Sequence, residues 1–532
     1  MPSQTYSYSI DSLAGGANLR DPPHRLPAND AYYINGYRCF EKSLKAVGKQ
    51  TAGPNLGDDV RVMHVTQTSA FADILIACTD SSINSITSAW AKTDITGAMT
   101  VTNGLFSGIN FNSYLILCNG TDPVIRIDGT PTCTAAGFVG PSGADTALEQ
   151  VWAHQNRLYF TQKNSNSFWW GGRNSVSGTL KEYPLQGIFK RRGKLLFGTT
   201  WSTNQGSNAE NLTILVSDVG EVLIYTGDYP DSNTWRLISR IEISKPIGKN
   251  SYVNIGGDVA IYTQNGPILL SQAISSPATP AALFKLTDKI SGTFRRLSYP
   301  AAGYGVMAVD TKDPFLYIMG AWDSREFMNT GQYGGLWCQN LNTGAWSFIS
   351  ISDGSAGPIS MTFAFGTLVF GFASGKTYYL LTPFLSYQGY EGCLGLSNRY
   401  IESGWLDFGT QKRKKITGFR IYVSNDPNYD LPTDTIYAKT TYAISLQSDL
   451  VVLNPFFPRA NNWTYYPILE NGKSIGEGVV PLYSTNISCL NLDGCGAEGR
   501  YFKLTIINNS SVNNQIDEIF NIEIEYTIGG SN

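Results

Sequence analysis

Residues that could do chemistry are few in this chain, and they are spread out. Histidine, a common metal ligand and proton shuttle, occurs three times, at His24, His64 and His154. Those positions share no ligand spacing, so a structural role is expected for each, and no metal site. No Gly-x-Ser-x-Gly elbow lifts a nucleophilic serine onto a strand-to-helix turn. No glycine-rich loop ends in Lys-Ser or Lys-Thr, as a phosphate cradle does. Asp426, Asn428 and Asp430 offer oxygen donors at short spacing, but the segment lacks the Gly and closing Glu of a calcium loop. It reads as a turn.

Carbohydrate chemistry is the sharpest enzymatic rival. Glycosidases work with paired carboxylates, and sialidases carry Ser-x-Asp-x-Gly-x-x-Trp turns. Here Asn342-Thr343-Gly344-Ala345-Trp346 has the Gly and the Trp, but Asn340 and Asn342 stand where the Asp belongs. Ser217-Asp218-Val219-Gly220 lacks the spacing and the Trp. No catalytic, cofactor or metal residue is therefore assigned, and no enzyme is expected. Trp169-Trp170 and Tyr378-Tyr379 could stack on sugars, although packing in a core or interface is the expected use of such pairs.

Cations form the other candidates. Lys190, Arg191, Arg192 and Lys194 make one run, Lys412, Arg413, Lys414 and Lys415 another, and Arg295-Arg296 a short third. Such runs are most often solvated faces; the functional reading is contact with a partner or with DNA phosphates. The net charge of −3 argues against general nucleic-acid affinity and fits weak contact only.

The elements that must position these residues are strands. Short runs of Leu, Ile, Val, Tyr and Phe recur between Gly, Asn, Asp and Ser. They open at Asp73, Ser113, Asn156, Gly193, Gly257, Asp313 and Gly366, with gaps of 40, 43, 37, 64, 56 and 53 residues. Repeats of about 50 residues made only of strands indicate a β-propeller. The fourth unit shows four strands: after Leu195-Leu196-Phe197 come Leu212–Val216, Val222–Tyr225 and Asp231–Ile238. The sixth repeats that plan and, like the fourth, ends near a tryptophan, Trp235 or Trp346, placed to cover a seam between blades. One short helix is expected, from Asp145 to His154. The long units leave room for loops around Ser202–Glu210 and Asp323–Gln332, expected at contacts with partners or in a lumen.

These readings divide the chain into an N-terminal arm with first strands over 1–60, an irregular propeller of about six or seven blades over 61–385, a linker over 386–398 and a C-terminal β-sandwich over 399–532. The fold class is all-β. Charged residues make up 15% and aromatics 12%, which suits large buried surfaces, including surfaces between subunits. The first twenty residues carry neither a basic run nor an apolar core, so no export leader is expected. No run approaches the roughly 18 apolar residues of a membrane span. Eight cysteines without a Cys-x-x-Cys pair read as buried thiols of a protein assembled in a reducing cytoplasm, Cys78 and Cys118 among them.

Three stretches together carry a resemblance. The first runs from Leu19-Arg20-Asp21-Pro22 to Asn35-Gly36-Tyr37-Arg38. The second spans Leu212 to Asp228, Asn233-Thr234-Trp235, Ile247-Gly248-Lys249 and Gly256 to Gln272. The third is Ser403-Gly404-Trp405-Leu406-Asp407-Phe408-Gly409 before the basic run. They resemble virion proteins of tailed bacteriophages, above all the tail nozzle (tail tubular or hub) proteins of short-tailed, podovirus-like phages. That resemblance implies a structural protein without turnover. It implies a homo-oligomeric ring, expected as a hexamer, below the phage adaptor protein. Such a ring extends the DNA channel, holds tail fibre, spike or needle proteins, gates genome ejection and makes transient contact with genomic DNA in its lumen. The place implied is the tail of the virion, assembled in the host bacterial cytoplasm. The alternative is a propeller glycosidase or a carbohydrate-binding receptor-recognition protein of the tail.

Overall fold

In a computed structural model of the chain, residues 4–11, 13–47, 50–203, 210–275, 282–290, 307–310, 313–320, 335–351, 357–380, 399–425, 442–448, 469–470, 473–474, 488–493, 498–508 and 517–528 are described. The expected linker over 386–398, the turn Asp426–Asp430, the Arg295-Arg296 pair and the loop Asp323–Gln332 lie outside these residues, as does most of the loop between Ser202 and Glu210.

Seven strands open seven successive sheets: Val60–Gln67, Ser107–Phe111, Leu148–His154, Leu195–Thr203, Tyr252–Ile255, Met307–Asp310 and Ser360–Ala364. Each opening strand touches the next sheet's opening strand, except that the fourth sheet meets the fifth at its second strand, Asp258–Thr263; the last opening strand returns to the first. That order closes a ring, so the sheets are the blades of a seven-bladed propeller. Within each blade neighbouring strands are antiparallel, and the first three follow one another in sequence. Several hairpins are two-residue turns with left-handed backbone at both positions, as at Asn112-Ser113, Gln155-Asn156 and Phe365-Gly366. Such turns match the twist of the paired strands.

The apolar core lies in the seams. Ile76, Cys78, Leu115 and Ile127 fill the seam between the first and second blades, and Phe197, Ile214, Ile224 and Ile261 that between the fourth and fifth. Trp235 stacks on Tyr225 of its own blade at 5.1 Å and lies parallel to Tyr159 of the third blade at 6.5 Å. Trp346 is buried in the seam of the fifth and sixth blades and donates its indole N–H to Leu286 O at 3.0 Å. Both tryptophans thus cover seams, as their positions suggest. Cys78 and Cys118 are free and buried, and burial pushes the Cys118 thiol up to about 12.

Two sequence expectations need correction. The segment Asp145–His154 is not a helix: Leu148–His154 is the third blade's inner strand. Its Leu, Glu, Gln and Ala suggest helix, but both faces are packed between blades, and that tertiary burial overrides local propensity. In the ladder, six of the seven runs are second strands of their blades, whereas Leu195-Leu196-Phe197 opens the fourth. The short gap of 37 and the long one of 64 come from this phase slip; the fourth blade's second strand is Glu210–Ser217.

The chain ends do more than frame the propeller. Gln50–Ala52 pairs with Thr377–Leu380 and supplies the seventh blade's outer strand. Asp30–Asn35 runs parallel to Trp346–Ser350, the sixth blade's outer strand, and antiparallel to Arg399–Leu406. Phe502–Asn508 and Tyr442–Ser448 extend that sheet further. A second sheet contains Thr5–Ile10, Asp517–Ile528, Lys414–Asn425, Ser488–Asp493 and the hairpin Tyr37–Cys39 with Leu44–Ala46. Ile10, Ile34, Leu44, Ile401, Phe502 and Ile522 pack between the two sheets. The β-sandwich is therefore built from both ends of the chain, and the expected arm over 1–60 is divided between it and the seventh blade.

Trp346→Ala is expected to lower the unfolding free energy by about 3–5 kcal/mol, because it empties a fully packed seam and leaves Leu286 O with the Gln339 donor alone. Urea unfolding of both proteins measures the difference.

Candidate functional site

The motifs from the two chain ends meet in space. Asn18 organises the first: its Oδ1 accepts the Arg20 and Asp21 backbone N–H groups, and its Nδ2 donates to Asp21 Oδ2 and Asp30 Oδ2 at 3.0 and 2.9 Å. Leu19 N–H and Arg20 N–H both donate to Lys289 O, and Lys289 Nζ donates to Gly15 O and to the buried Asp30 carboxylate at 2.8 Å. This ties the N-terminal segment to the helical turn before the sixth blade. Hydrogen bonds from Arg20 and Asn18 hold the Asp21 carboxyl down at about 2. The second motif begins at the buried Ser403, whose Oγ accepts Leu504 N–H at 2.9 Å. Gly404 is needed there: a Cβ would sit 2.6 Å from Pro23 O, on the stretch that follows Asp21-Pro22. Phe408 stacks on Phe502 at 5.3 Å and 4° and packs against Tyr8 and Tyr526. Leu19–Pro22 and Ser403–Gly409 thus form one joint between propeller and sandwich.

The basic runs separate. Lys190, Arg191, Arg192 and Lys194 lie on the connection into the fourth blade, all four side chains exposed. Their loop is shaped by anions: Lys190 N–H and Arg191 N–H donate to the buried Glu221 carboxylate at 2.8 and 2.9 Å, and Lys194 N–H to Asp218 at 2.7 Å. The backbone is fixed while the cations project outward; Arg191 pairs with Glu242 at 3.5 Å. The second run is on the sandwich. Lys412, Arg413 and Lys415 are exposed, but Lys414 is buried, donating from Nζ to Thr410 O and Lys412 O and lying 5.7 Å from the Phe408 ring centroid. Lys414 is therefore corrected from a surface contact to a structural residue. Strand alternation turns it inward between Arg413 and Lys415.

Residues that sequence reasoning missed lie around the propeller axis. Lys249 Nζ donates to Glu149 O at 3.0 Å and Asn119 O at 3.4 Å, and Asn250 Nδ2 donates to Phe106 O at 3.2 Å. The loop leads into the fifth blade, whereas its partners belong to the second and third blades, which are not its neighbours in the ring. It therefore crosses the axis and occupies that end of the propeller. Burial lowers the Lys249 pKa. Gln150 adds a second cross-link, exchanging hydrogen bonds with Gly198 and donating to Tyr252 Oη at 3.1 Å. Nothing in the sequence marks either residue except that Lys249 falls within one of the quoted stretches. His64 lies on the first blade's inner strand against Gly108. Burial holds its imidazole down at about 4. His64 itself is half-buried; His154 is buried and bonded to Gly227 O at 2.9 Å, and His24 is exposed.

Trp170, Tyr378 and Tyr379 are buried, and Trp169 is half-buried with its indole N–H on Gln162, so none of these pairs is an open sugar platform. Among the described residues no group of three or more His, Cys, Asp or Glu could hold a metal ion, and no helix is long and apolar enough to cross a membrane.

No family model matches the chain, and no curated protein matches it. Among solved structures, a streptogramin B lyase is similar at 13% identity with a TM-score of 0.36, covering 62% of this chain and 97% of its own. A computationally designed protein, Ika8, is similar at 9% identity with a TM-score of 0.36, covering 63% and 100%. Neither likeness says anything of activity here, and the propeller rests on the strand pairings above.

Between pH 6.5 and 4 the unfolded chain binds a proton at His64 that the folded chain refuses. That stability is complete above pH 6.5 and is lost as pH falls toward 4, by up to about 3 kcal/mol. His64→Gln is expected to flatten this part of the stability–pH curve, measured by denaturant unfolding at a series of pH values.

Proposed function

We propose that this chain is a structural virion protein: the subunit of the tail nozzle ring of a short-tailed bacteriophage. The ring extends the DNA channel below the adaptor protein, anchors fibre, spike or needle proteins and gates genome ejection. It is assembled in the host bacterial cytoplasm and carried in the virion tail. The observation that supports this reading most is the joint described above. Two motifs that carry the resemblance, far apart in sequence, are the residues that fix the sandwich to the propeller. They are used for rigidity, as a part under mechanical stress in an assembly requires.

The cross-axis loop at Lys249 agrees with a division of labour in which DNA passes between subunits around a lumen and not along the axis of one propeller. The exposed Lys190, Arg192, Lys194, Lys412 and Lys415 are cations that could make weak phosphate contact. Weak contact suits a conduit, because tight binding would brake the moving genome.

Particles made without this protein are expected to lack complete tails and to lose their DNA, as read by electron microscopy and nuclease protection of the packaged genome. Complete, DNA-retaining tails without it would overturn the proposal. Release of oligosaccharide from host polysaccharide by the purified protein would favour the glycosidase instead.

A further inference from the structure

One buried carboxylate holds an amine and a carboxamide at the same time. Asp30 is 5% exposed and Asn18 1%. Asp30 Oδ1 accepts a hydrogen bond from Lys289 Nζ at 2.8 Å, and Asp30 Oδ2 accepts one from Asn18 Nδ2 at 2.9 Å. Lys289 lies 259 residues beyond Asp30 and reaches it from the helical turn Ala282–Ile290. Its Nζ also donates to Gly15 O at 2.9 Å. Glycine is required at that contact, because a Cβ on residue 15 would lie 2.3 Å from Asp30 Oδ1. The backbone is thus closed over the carboxylate, and the adjoining Ala17 and Ala31 are fully buried. The Lys289 side chain is 33% exposed, which leaves the group one way out to solvent.

The Asn18 carboxamide is held as an electrophile would be. Its Oδ1 accepts the backbone N–H groups of Arg20 and Asp21 at 3.2 and 3.1 Å, two donors on one carbonyl oxygen. Such a pair stabilises the negative charge that forms on the oxygen when a nucleophile adds to the carbon. Its Nδ2 has both hydrogens engaged, one by Asp30 Oδ2 and the other by Asp21 Oδ2 at 3.0 Å. A lysine must lose a proton before it can act as a nucleophile, and a carboxylate in contact with it can take that proton. Amine, proton carrier, carboxamide and oxyanion donors therefore stand in one chain of hydrogen bonds.

We propose that Lys289 and Asn18 condense to an isopeptide bond, with Asp30 carrying the protons. Asp30 takes a proton from the Lys289 ammonium. The freed amine adds to Asn18 Cγ, and the charge on Oδ1 is held by the Arg20 and Asp21 N–H groups. Asp30 then gives its proton to Nδ2, the Cγ–Nδ2 bond breaks and ammonia leaves. The new amide nitrogen gives up its surplus proton through Asp30, and that proton departs with the ammonia as ammonium. One carbon–nitrogen bond forms and one breaks, nothing is oxidised or reduced, and no outside reactant is used. The covalent loop from Asn18 to Lys289 contains the first five blades, so the N-terminal segment can no longer be pulled from the propeller. The bond is inferred from these residues alone, and its absence leaves the tail reading standing.

Intact mass spectrometry of the folded, purified full chain, denatured for the measurement, tests it. The unaltered protein is expected to be lighter than its sequence by the mass of one ammonia. Proteolysis is expected to release a branched peptide that joins the stretches around Asn18 and Lys289. Lys289→Arg keeps a cation for Asp30 without the lysine amine, and Asp30→Asn removes the proton carrier. Both are expected to show the full sequence mass and no branched peptide, with thermal unfolding checking that each is folded. On a denaturing gel the looped, unaltered chain is expected to migrate apart from Lys289→Arg. A folded, unaltered protein of full sequence mass would overturn the bond. So would an ammonia loss without a branched peptide, as a succinimide at Asn35-Gly36 would give, or a branched peptide undiminished in Asp30→Asn.

Discussion

Closure of the ring is the constraint on which the rest of the structure depends. A propeller has no common core. Each blade is a thin sheet whose two faces are buried only because neighbours stand on both sides, so the ring gains its stability when the last seam forms. In this chain that seam holds Val60, Leu75, Val369 and Tyr379. It is completed by an N-terminal strand, Gln50–Ala52, added to the seventh blade's Thr377–Leu380. The two ends of the propeller are thereby held by backbone hydrogen bonds between residues more than 300 positions apart. The same N-terminal segment supplies Asp30–Asn35 to the sixth blade, so closing the ring and building the sandwich are one event along the chain.

Much of the propeller was legible because a blade strand packed on both faces is a short continuous apolar run between turn residues. Ile74–Cys78, Leu115–Cys118 and Leu158–Phe160 announce themselves in this way. The same property misled the phase in the fourth blade, where inner and second strands are equally apolar and composition cannot say which opens the sheet. The sandwich was legible only in its C-terminal half. Thr5–Ile10 alternates between exposed and partly buried positions, and what it pairs with is set by Asp517–Ile528, over 500 residues away. Nothing local encodes that partner. Of the candidate site, the loop bearing Lys190 to Lys194 was visible as charge, whereas the Glu221 carboxylate that shapes it was not.

The two buried lysines show how polar groups serve this architecture. Lys249 and Lys414 each donate to two backbone carbonyls, and neither stands out in the sequence as anything but a cation. Removing an ammonium from water is costly unless hydrogen bonds replace the lost hydration. Carbonyls at strand ends and turns are available acceptors, and satisfying them fixes chain segments that no apolar contact reaches. Lys249 does this across the axis and Lys414 at the turn beside Phe408. In both places a long, flexible side chain spans a gap between backbone elements that cannot approach each other directly.

Strand direction sorts the remaining chemistry onto two faces. In the four-stranded blades the connection from the outer strand to the next inner strand lies at one end of the propeller and the inner hairpin at the other, because the four strands alternate in direction; the fifth blade has three described strands. The loop of Lys190 to Lys194 and the cross-axis loop of Lys249 are both outer-to-inner connections, so cations and axial closure share one face. Phe71 is on an inner hairpin and belongs to the opposite face. Leu237 and Ile238 lie near the start of their outer strand, hence toward the same face as Phe71. Phe71, Leu237 and Ile238 are thus at one end and the loop of Lys190 to Lys194 at the other.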